Sequence, residues 1–275
     1  MTHSEITQAI LKKQSFLCIG LDVDLEKIPP HLLAEEDPIF AFNKAIIDAT
    51  HHLAVAYKPN TAFYESYGLK GWRSLERTIE YLNDKHPEIF TIADAKRGDI
   101  GNTSSRYAKA FFEHMGFDSV TVAPYMGRDS VEPFLAFENK HTILLALTSN
   151  GGAFDFQTKQ VEDQALFQSV IKTAMTYDHS DRLMFVVGAT KDEYLAQVRA
   201  LVPHAFLLVP GVGAQGGDLA AVCRHGMNES VGLLVNSSRA IIYASQGHDF
   251  AQAAANAAQQ MQQQMHQILT ERGSR

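Results

Sequence analysis

The chain has 275 residues, of which 45% are hydrophobic and 20% are charged, a balance typical of globular proteins. Its 24 Lys and Arg residues and 31 Asp and Glu residues give a net charge of −7, which argues against a nucleic-acid-binding surface. An anionic ligand therefore has to be held by a few local cations. With no long apolar segment and no signal-peptide pattern, the sequence predicts a cytoplasmic protein without a membrane partner.

Short apolar runs alternate with helical patterns along the chain. Strands are predicted at residues 16–21, 53–57, 90–93, 119–123, 142–147, 183–187, 205–209 and 231–235. Helical patterns between them include 39–51, 72–85 and 104–115. Continuous apolar strands that alternate with helices indicate parallel strands covered on both faces. About eight such units favour an α/β fold, a single-domain (β/α)₈ TIM barrel over residues 1–275, with a doubly wound open sheet as the alternative.

Two segments are additional to a minimal barrel. The loop 149–163 (SNGGAFDFQTKQVED) contains paired glycines and two phenylalanines, and loops of this length often act as lids. The stretch 250–270 is rich in Ala and Gln and predicts a C-terminal helix, without the sustained heptads of a coiled coil.

Polar residues follow most of the predicted strands. Active sites in this fold lie at the carboxyl ends of the strands, so these residues are expected on one rim of the barrel. They are Asp22 and Asp24, Lys58 to Asn60, Asp94 and Lys96, Thr148 to Asn150, the loop 210–217, and Asn236 to Arg239.

The stretch 94–100 (DAKRGDI) is the most informative of these. Strand side chains alternate between faces, so Asp94 and Lys96 are expected to point the same way, while Asp99 returns from the following turn. An ammonium between two carboxylates is held protonated, which suits proton donation to a carbanion better than Schiff-base chemistry. A surface turn with ordinary ion pairs is the alternative interpretation.

The loop 210–217 (PGVGAQGG) predicts an anion-binding site. Its glycines let backbone N–H groups approach an anion, and the following helix presents its positive end. Arg239, after the eighth strand, supplies a fork of donors that suits a phosphate. A structural turn and a dinucleotide fingerprint are the alternatives, but the fingerprint belongs to the first strand–helix unit.

Neither a metal nor a cofactor is predicted. The rim offers the carboxylates of Asp22, Asp24, Asp94 and Asp99. The ammonium groups of Lys58 and Lys96 on the same rim would repel a cation. The histidines lack an H-E-x-x-H pattern, and His51 and His52 are expected to face solvent.

These motifs together resemble the orotidine 5′-phosphate decarboxylase family. The signature is Asp94-x-Lys96-x-x-Asp99-Ile100-x-x-Thr103, and the resemblance covers nearly the whole chain. Other matching stretches are 20–22 (GLD), 58–65 (KPNTAFYE), 210–218 (PGVGAQGGD) and 236–239 (NSSR). The 58–65 run and the chain length resemble the longer bacterial, type 2 branch. The chain departs from the pattern of many members beside Arg239. Those members carry a glycine before an arginine-serine pair, whereas this chain has Ser238 before Arg239 and Ala240 after it.

The resemblance implies a homodimeric enzyme that converts orotidine 5′-phosphate to UMP, the last step of de novo pyrimidine synthesis, without a metal or cofactor. Lys96 is the expected proton donor to C6, within a charge network of Asp94, Lys96 and Asp99. Asp99, Ile100 and Thr103 are expected to reach the neighbouring subunit's site. The other implied substrate contacts are Asp22 and Lys58 at the ribose, Ser149 at the pyrimidine, and Gln215 and Arg239 at the phosphate, with Pro210 and Gly216 as further substrate-binding residues.

Two other functions fit parts of the pattern. Related barrels that act on sugar phosphates with magnesium share the Asp-x-Lys-x-x-Asp motif, but carry a metal-binding carboxylate near the end of the second strand, where this chain has Lys58. A non-catalytic nucleotide-binding barrel would bind UMP without turnover, and the intact Lys96 disfavours it.

Overall fold

Eight parallel strands close into a barrel in a computed structural model that describes residues 1–189, 192–212 and 218–273. Each strand pairs with the next along the chain, and the eighth returns to pair with the first. They are β1 Leu17–Gly20, β2 Ala56–Lys58, β3 Phe90–Arg97, β4 Ser119–Val122, β5 His141–Leu147, β6 Leu183–Val187, β7 Leu207–Pro210 and β8 Leu233–Ser237. The predicted (β/α)₈ barrel is therefore confirmed, and the open-sheet alternative is wrong.

The strands are buried because both of their faces are covered. All residues of β1, β4 and β6 are buried, as expected for parallel strands enclosed by helices. β2 begins later than predicted, since the backbone N–H groups of Leu53 and Ala54 bond back to the carbonyl of Thr50 and close the preceding helix. β3 extends four residues beyond its predicted end at Ala93.

Helices surround the barrel. They are α1 His3–Lys13, α2 Pro38–Thr50, α3 Ala62–Glu65, α4 Gly68–Lys85, α5 Gly101–Lys109, α6 Arg128–Leu135, α7 Leu166–Ala174, α8 Asp192–Leu201, α9 Leu219–Gly226, α10 Arg239–Ile242 and α11 Phe250–Gly273. A π-helical turn, Ala110–His114, follows α5 and completes the predicted helix 104–115. No helix in the described part of the chain combines the length and the apolar character needed to cross a membrane.

Side-chain caps determine where several helices begin. The hydroxyl of Thr2 accepts from the N–H of Glu5, and the Glu5 carboxylate accepts from the N–H of Thr2, which forms a capping box at α1. Asp37 caps α2 by accepting from the N–H of Phe40 at 3.0 Å. Its second oxygen accepts from Arg77 at 2.9 Å and so joins α2 to α4.

The additional segments are ordered into local structure. Loop 149–163 contains a 3₁₀ turn, Gly151–Phe154, and begins a two-stranded hairpin that pairs Gln160–Val161 with Gln164–Ala165. The side chain of Phe156 in this loop is 70% exposed. The predicted C-terminal helix is confirmed as α11, whose first residue, Phe250, stacks on Phe42 of α2 with ring centroids 5.4 Å apart.

Both cysteines are buried, unpaired thiols, as predicted. Burial raises the pKa of Cys18 and of Cys223 to about 12, so both thiols stay protonated at neutral pH.

Candidate active site

The carboxyl ends of β2, β3 and β4 bring four polar side chains into one network. Lys58 ends β2, Asp94 and Lys96 lie in the last part of β3, and Thr121 lies in β4. The sequence separates Lys58 from Thr121 widely, and only the closure of the barrel makes them neighbours. We call Lys58, Asp94, Lys96 and Thr121 the charge network.

A bulge in β3 shapes this network. Between Ala93 and Arg97 the chain advances four residues, while the paired strand β4 advances only two, from Val120 to Val122. Lys96 takes up the excess with a φ of +46°, in the left-handed region that residues other than glycine seldom adopt. Bulges of this kind re-aim side chains and are common beside active sites.

Thr121 holds the bulge in place. Its hydroxyl accepts from the backbone N–H of Lys96 at 2.8 Å and donates to Oδ1 of Asp94 at 3.1 Å. Thr121 is completely buried, so neither bond competes with solvent. The hydroxyl therefore fixes both the backbone of the lysine and the orientation of the carboxylate.

Asp94 lies between two ammonium groups. Its Oδ2 accepts from Nζ of Lys58 at 2.9 Å, and its Oδ1 accepts from Nζ of Lys96 at 2.6 Å. The Lys58 side chain is only 5% exposed and Asp94 is 10% exposed, whereas Lys96 is 48% exposed. One buried carboxylate thus anchors one buried lysine and one lysine that reaches into the open mouth of the barrel.

Electrostatics keeps the buried pair charged. Burial disfavours the charged form of Lys58, but the carboxylates of Asp94 and Asp22 outweigh burial, so the pKa of Lys58 is raised. Burial likewise disfavours an ionised Asp94, but Lys58 and Lys96 outweigh it and hold the pKa of Asp94 well below its usual range. Lys58 and Asp94 are therefore both ionised at neutral pH.

Asp22 lies beside this network and is fixed from two sides. Its Oδ1 accepts from the backbone N–H of Asn60 at 3.3 Å, and its Oδ2 accepts from the hydroxyl of Ser238 at 2.9 Å. Ser238 fits there because Gly20 has no side chain, since a Cβ at Gly20 would lie 2.7 Å from Cβ of Ser238. Asp24 instead pairs with Lys27 and does not join the network.

Residues 99–103, the rim segment, form no hydrogen bond or ion pair with the charge network among the described residues. Asp99 accepts from the N–H of Ile100 at 2.7 Å, and the ion pairs of the described residues do not include one between Asp99 and Lys96. Ile100 is 57% exposed, and Thr103 is exposed on the first turn of α5. Within one chain, therefore, two lysines share one carboxylate, in place of the expected lysine between two carboxylates.

The remaining predicted residues lie around the same mouth. Ser149 follows β5 and packs closely against Gly188, where a Cβ would come within 2.7 Å of the Ser149 backbone. Pro210 ends β7, and Arg239 begins α10 with an exposed side chain. Gln215 and Gly216 lie outside the described residues.

Two residues of the site escaped the sequence analysis. Thr121 occurs in the buried strand SVTV, where a threonine is ordinary, and nothing local shows that its hydroxyl bridges two other strand residues. Tyr243 donates to the carbonyl of Asp22 at 2.8 Å and accepts from the N–H of Asp24 at 2.8 Å, from 219 or more positions away. Only the tertiary fold reveals either contact.

A (β/α)₈ barrel with a buried lysine–carboxylate network at the carboxyl ends of its strands is typical of barrel enzymes that stabilise charge developing on the substrate during the reaction. Residues 15–256 match the model of one family of this class, the orotidine 5′-phosphate decarboxylase / HUMPS family. The chain belongs to this family.

Individual relatives are similar over nearly their whole length. The chain is 66% identical to the orotidine 5′-phosphate decarboxylase of Flavobacterium johnsoniae over 269 residues, covering 98% of each chain. It is 56% identical to that of Phocaeicola vulgatus over 270 residues, covering 98% of this chain and 99% of the other.

Solved structures share the fold. The Leishmania donovani OMP decarboxylase superposes with a TM-score of 0.80 at 33% identity, covering 95% of this chain and 99% of the other. The orotidine 5′-monophosphate decarboxylase of Plasmodium berghei superposes with a TM-score of 0.83 at 26% identity, covering 98% of each chain.

Proposed function

We propose that this chain decarboxylates orotidine 5′-phosphate to UMP, in pyrimidine biosynthesis, with Lys96 as the proton donor. The observation that carries the proposal is the position of Lys96. Its Nζ lies 2.6 Å from Oδ1 of Asp94, and its side chain is 48% exposed at the mouth of the barrel. The enzyme is a carboxy-lyase, in agreement with the family and with the names of the relatives.

The reaction leaves an electron pair on a carbon atom. When the bond between C6 and the carboxylate breaks, CO₂ departs and both bonding electrons stay on C6. A fixed ammonium is the strongest stabiliser available to that carbanion, because a preorganised charge does not have to reorganise during the reaction. Lys96 then transfers a proton from Nζ to C6, giving UMP, and regains a proton from solvent.

The rest of the network prepares Lys96 for this step. Asp94 orients the ammonium of Lys96 through the 2.6 Å ion pair between them. Thr121 and the bulge fix the backbone from which Lys96 projects. Lys58 supplies a second positive charge to Asp94, so the carboxylate stays ionised close to the carboxylate of the substrate.

We assign the substrate contacts by the resemblance to the family, and the positions of the described residues around the mouth support the assignment. Asp22 and Lys58 are assigned to the ribose hydroxyls, since Lys58 belongs to the network, Asp22 lies next to it, and both are fixed by their neighbours. Ser149 is assigned to the pyrimidine. The phosphate is assigned to Gln215 and Arg239, with Pro210 and Gly216 as further substrate-binding residues. Arg239 is exposed and makes no bond to the other described side chains, so its guanidinium is available to bind a phosphate.

We also propose a homodimer in which Asp99, Ile100 and Thr103 complete the site of the neighbouring subunit. The exposure of Ile100 and the absence of an Asp99–Lys96 ion pair among the described residues support this assignment. In such a dimer Lys96 would lie between Asp94 of its own chain and Asp99 of the other.

Loop 149–163 is assigned the role of a lid over a single barrel domain. The two buried thiols agree with a cytoplasmic location.

The second candidate is a magnesium-dependent enzyme of the same family acting on sugar phosphates. The end of β2 argues against it, because Lys58 occupies that position and its ammonium is bonded to Asp94. A cation there would meet two ammonium groups.

An ultraviolet assay that follows the loss of orotidylate absorbance tests the proposal, with and without EDTA. We expect turnover to UMP that is unchanged by the chelator. Lys96→Ala is the matched inactive control. No turnover of orotidine 5′-phosphate, or turnover that EDTA abolishes and Mg²⁺ restores, would contradict the proposal.

A further inference from the structure

Three metal-ligating side chains meet on the face of the barrel opposite to the active site. His51 follows α2, and His86 and Glu88 lie between α4 and β3. All three therefore precede the amino ends of β2 and β3, whereas Lys58 and Lys96 occupy the carboxyl ends of those strands. One ligand atom from each side chain lies within 4.8 Å of the others.

The side chains of His51, His86 and Glu88 lie next to one another. The imidazole rings of His51 and His86 stack with centroids 4.2 Å apart, and Nδ1 of His86 lies 4.0 Å from Oε1 of Glu88. Zinc ligands at about 2.0–2.1 Å from the metal lie roughly 3.4 Å from one another, so binding requires the stacked imidazoles to rotate until one nitrogen of each points at the ion.

His86 lacks the partners that a mostly buried imidazole normally has. Its side chain is 13% exposed, and its Nε2 is buried without a hydrogen-bond partner in the part of the chain that the structure describes. The 4.0 Å separation from Glu88 is too long for a hydrogen bond at Nδ1. A ring with neither nitrogen bonded is free to present the Nδ1 lone pair to a metal.

The surroundings fix the cluster and leave it accessible. Nζ of Lys13 donates to the carbonyls of His51 and Ala54, each at 2.7 Å, which holds the backbone that carries His51. A cavity of about 830 Å³ is lined by His51 and Glu88 and opens beside the cluster. An ion can therefore enter without rearranging the barrel.

We propose that His51, His86 and Glu88 form a binding site for a divalent transition-metal ion of the zinc class, with water at the fourth position. Two imidazoles and one carboxylate are a ligand set that zinc takes in proteins. The ion would link the end of α2 to the segment that enters β3. Its role is structural, since it lies across the barrel from the catalytic network, and the inference is independent of the proposed decarboxylation.

Zinc binding to the tag-free, chelator-stripped protein tests the site. We expect one Zn²⁺ per chain by calorimetry and a rise in Tm of roughly 5 °C at saturation, because an ion that binds only the folded state stabilises it. His86→Gln and Glu88→Gln should each weaken binding by about tenfold or more. Turnover of orotidine 5′-phosphate should be the same with and without Zn²⁺.

His114→Gln is the matched control. His114 also pairs with a glutamate, with its Nε2 3.1 Å from Glu76, but the metal-ligand cluster found among the described residues does not include either of them. This variant should bind Zn²⁺ like the wild type. Equal losses in His114→Gln and His86→Gln, or full binding by His86→Gln, would overturn the site.

Cobalt substitution in the wild type gives a measurement that does not depend on how any variant folds. Co²⁺ in the proposed site should give the intense visible absorbance of a four-coordinate ion, and Zn²⁺ should displace it. A pale, octahedral spectrum, or no binding of either ion, would show that the three side chains form an ordinary surface cluster.

Discussion

The charge network and the rim segment lie on the same face of the barrel but differ in what one chain supplies to them. Lys58, Asp94 and Thr121 are buried and bonded to one another across three strands. In residues 99–103, Ile100 is 57% exposed, and within the described part of the chain Asp99 bonds to the N–H of Ile100 and not to the network. The barrel thus fixes the charged side chains of one chain by folding, whereas in the proposed dimer a second chain completes the site.

Removing the ammonium group of Lys96 should have the largest effect on activity. Lys96→Ala is expected to lower kcat by at least about 10³-fold, since both charge stabilisation and proton donation are lost. Stability should change little, because Asp94 keeps Lys58 and Thr121 as partners. Steady-state kinetics and thermal unfolding check the two outcomes, and a variant with near-normal kcat would contradict the assignment of Lys96.

Removing the carboxylate should damage both function and stability. Asp94→Asn is expected to lower kcat strongly and to cost about 3–5 kcal/mol of unfolding free energy, because the buried ammonium of Lys58 would lose the one carboxylate that forms an ion pair with it among the described residues. Denaturant unfolding measures this loss.

The double variant Lys58→Met/Asp94→Asn is the control for that interpretation. Replacing the buried ammonium by an apolar side chain should recover much of the stability but none of the activity. If the double variant is as unstable as Asp94→Asn, the unpaired charge is not the cause.

A smaller loss is expected at the outer edge of the site. Arg239→Ala should lower kcat/KM by roughly 10- to 150-fold, the equivalent of a charge-assisted hydrogen bond worth about 1.5–3 kcal/mol. The loss should nearly vanish for a truncated substrate without the phosphate, and added guanidinium should restore part of it. Equal fractional losses on both substrates would mean that Arg239 supports the barrel and does not bind phosphate.

The smallest effect should come from the residue that positions the lysine. Thr121→Val keeps the shape of the side chain but removes the bonds to Asp94 and to the N–H of Lys96, and it should lower kcat by about tenfold with little change in KM. Thr121→Ser retains the hydroxyl and should keep most of the activity. If the serine variant is as slow as the valine variant, packing and not hydrogen bonding explains the loss.

The sequence predicted the barrel, and the common rim of Asp22, Lys58, Asp94 and Lys96, for a physical reason. Apolar strands buried on both faces leave a clear pattern, and a barrel places the residues after each strand on one rim. The sequence alone therefore predicts that one rim carries Asp22, Lys58, Asp94 and Lys96. The bulge at Lys96 could not be predicted, because a change of register depends on how β3 and β4 pair.

Long-range side-chain contacts mark the other limit of prediction. His51 was expected to face solvent, but it stacks on His86, 35 positions later in the chain. Asp24 follows β1 as expected, and its backbone N–H bonds to Tyr243, 219 positions later in the chain. The phosphate loop stays a prediction at residues 213–217, which lie outside the described part of the chain.

The central claim is that the preorganised network of one chain works with the rim segment of another. Lys96→Ala and Asp99→Ala chains are each expected to be inactive, and they carry different tags so that mixed dimers can be purified. In a two-fold dimer with shared sites, each mixed dimer contains one site without either substitution and should recover about half of the wild-type activity. Verified mixed dimers that remain inactive would contradict the claim.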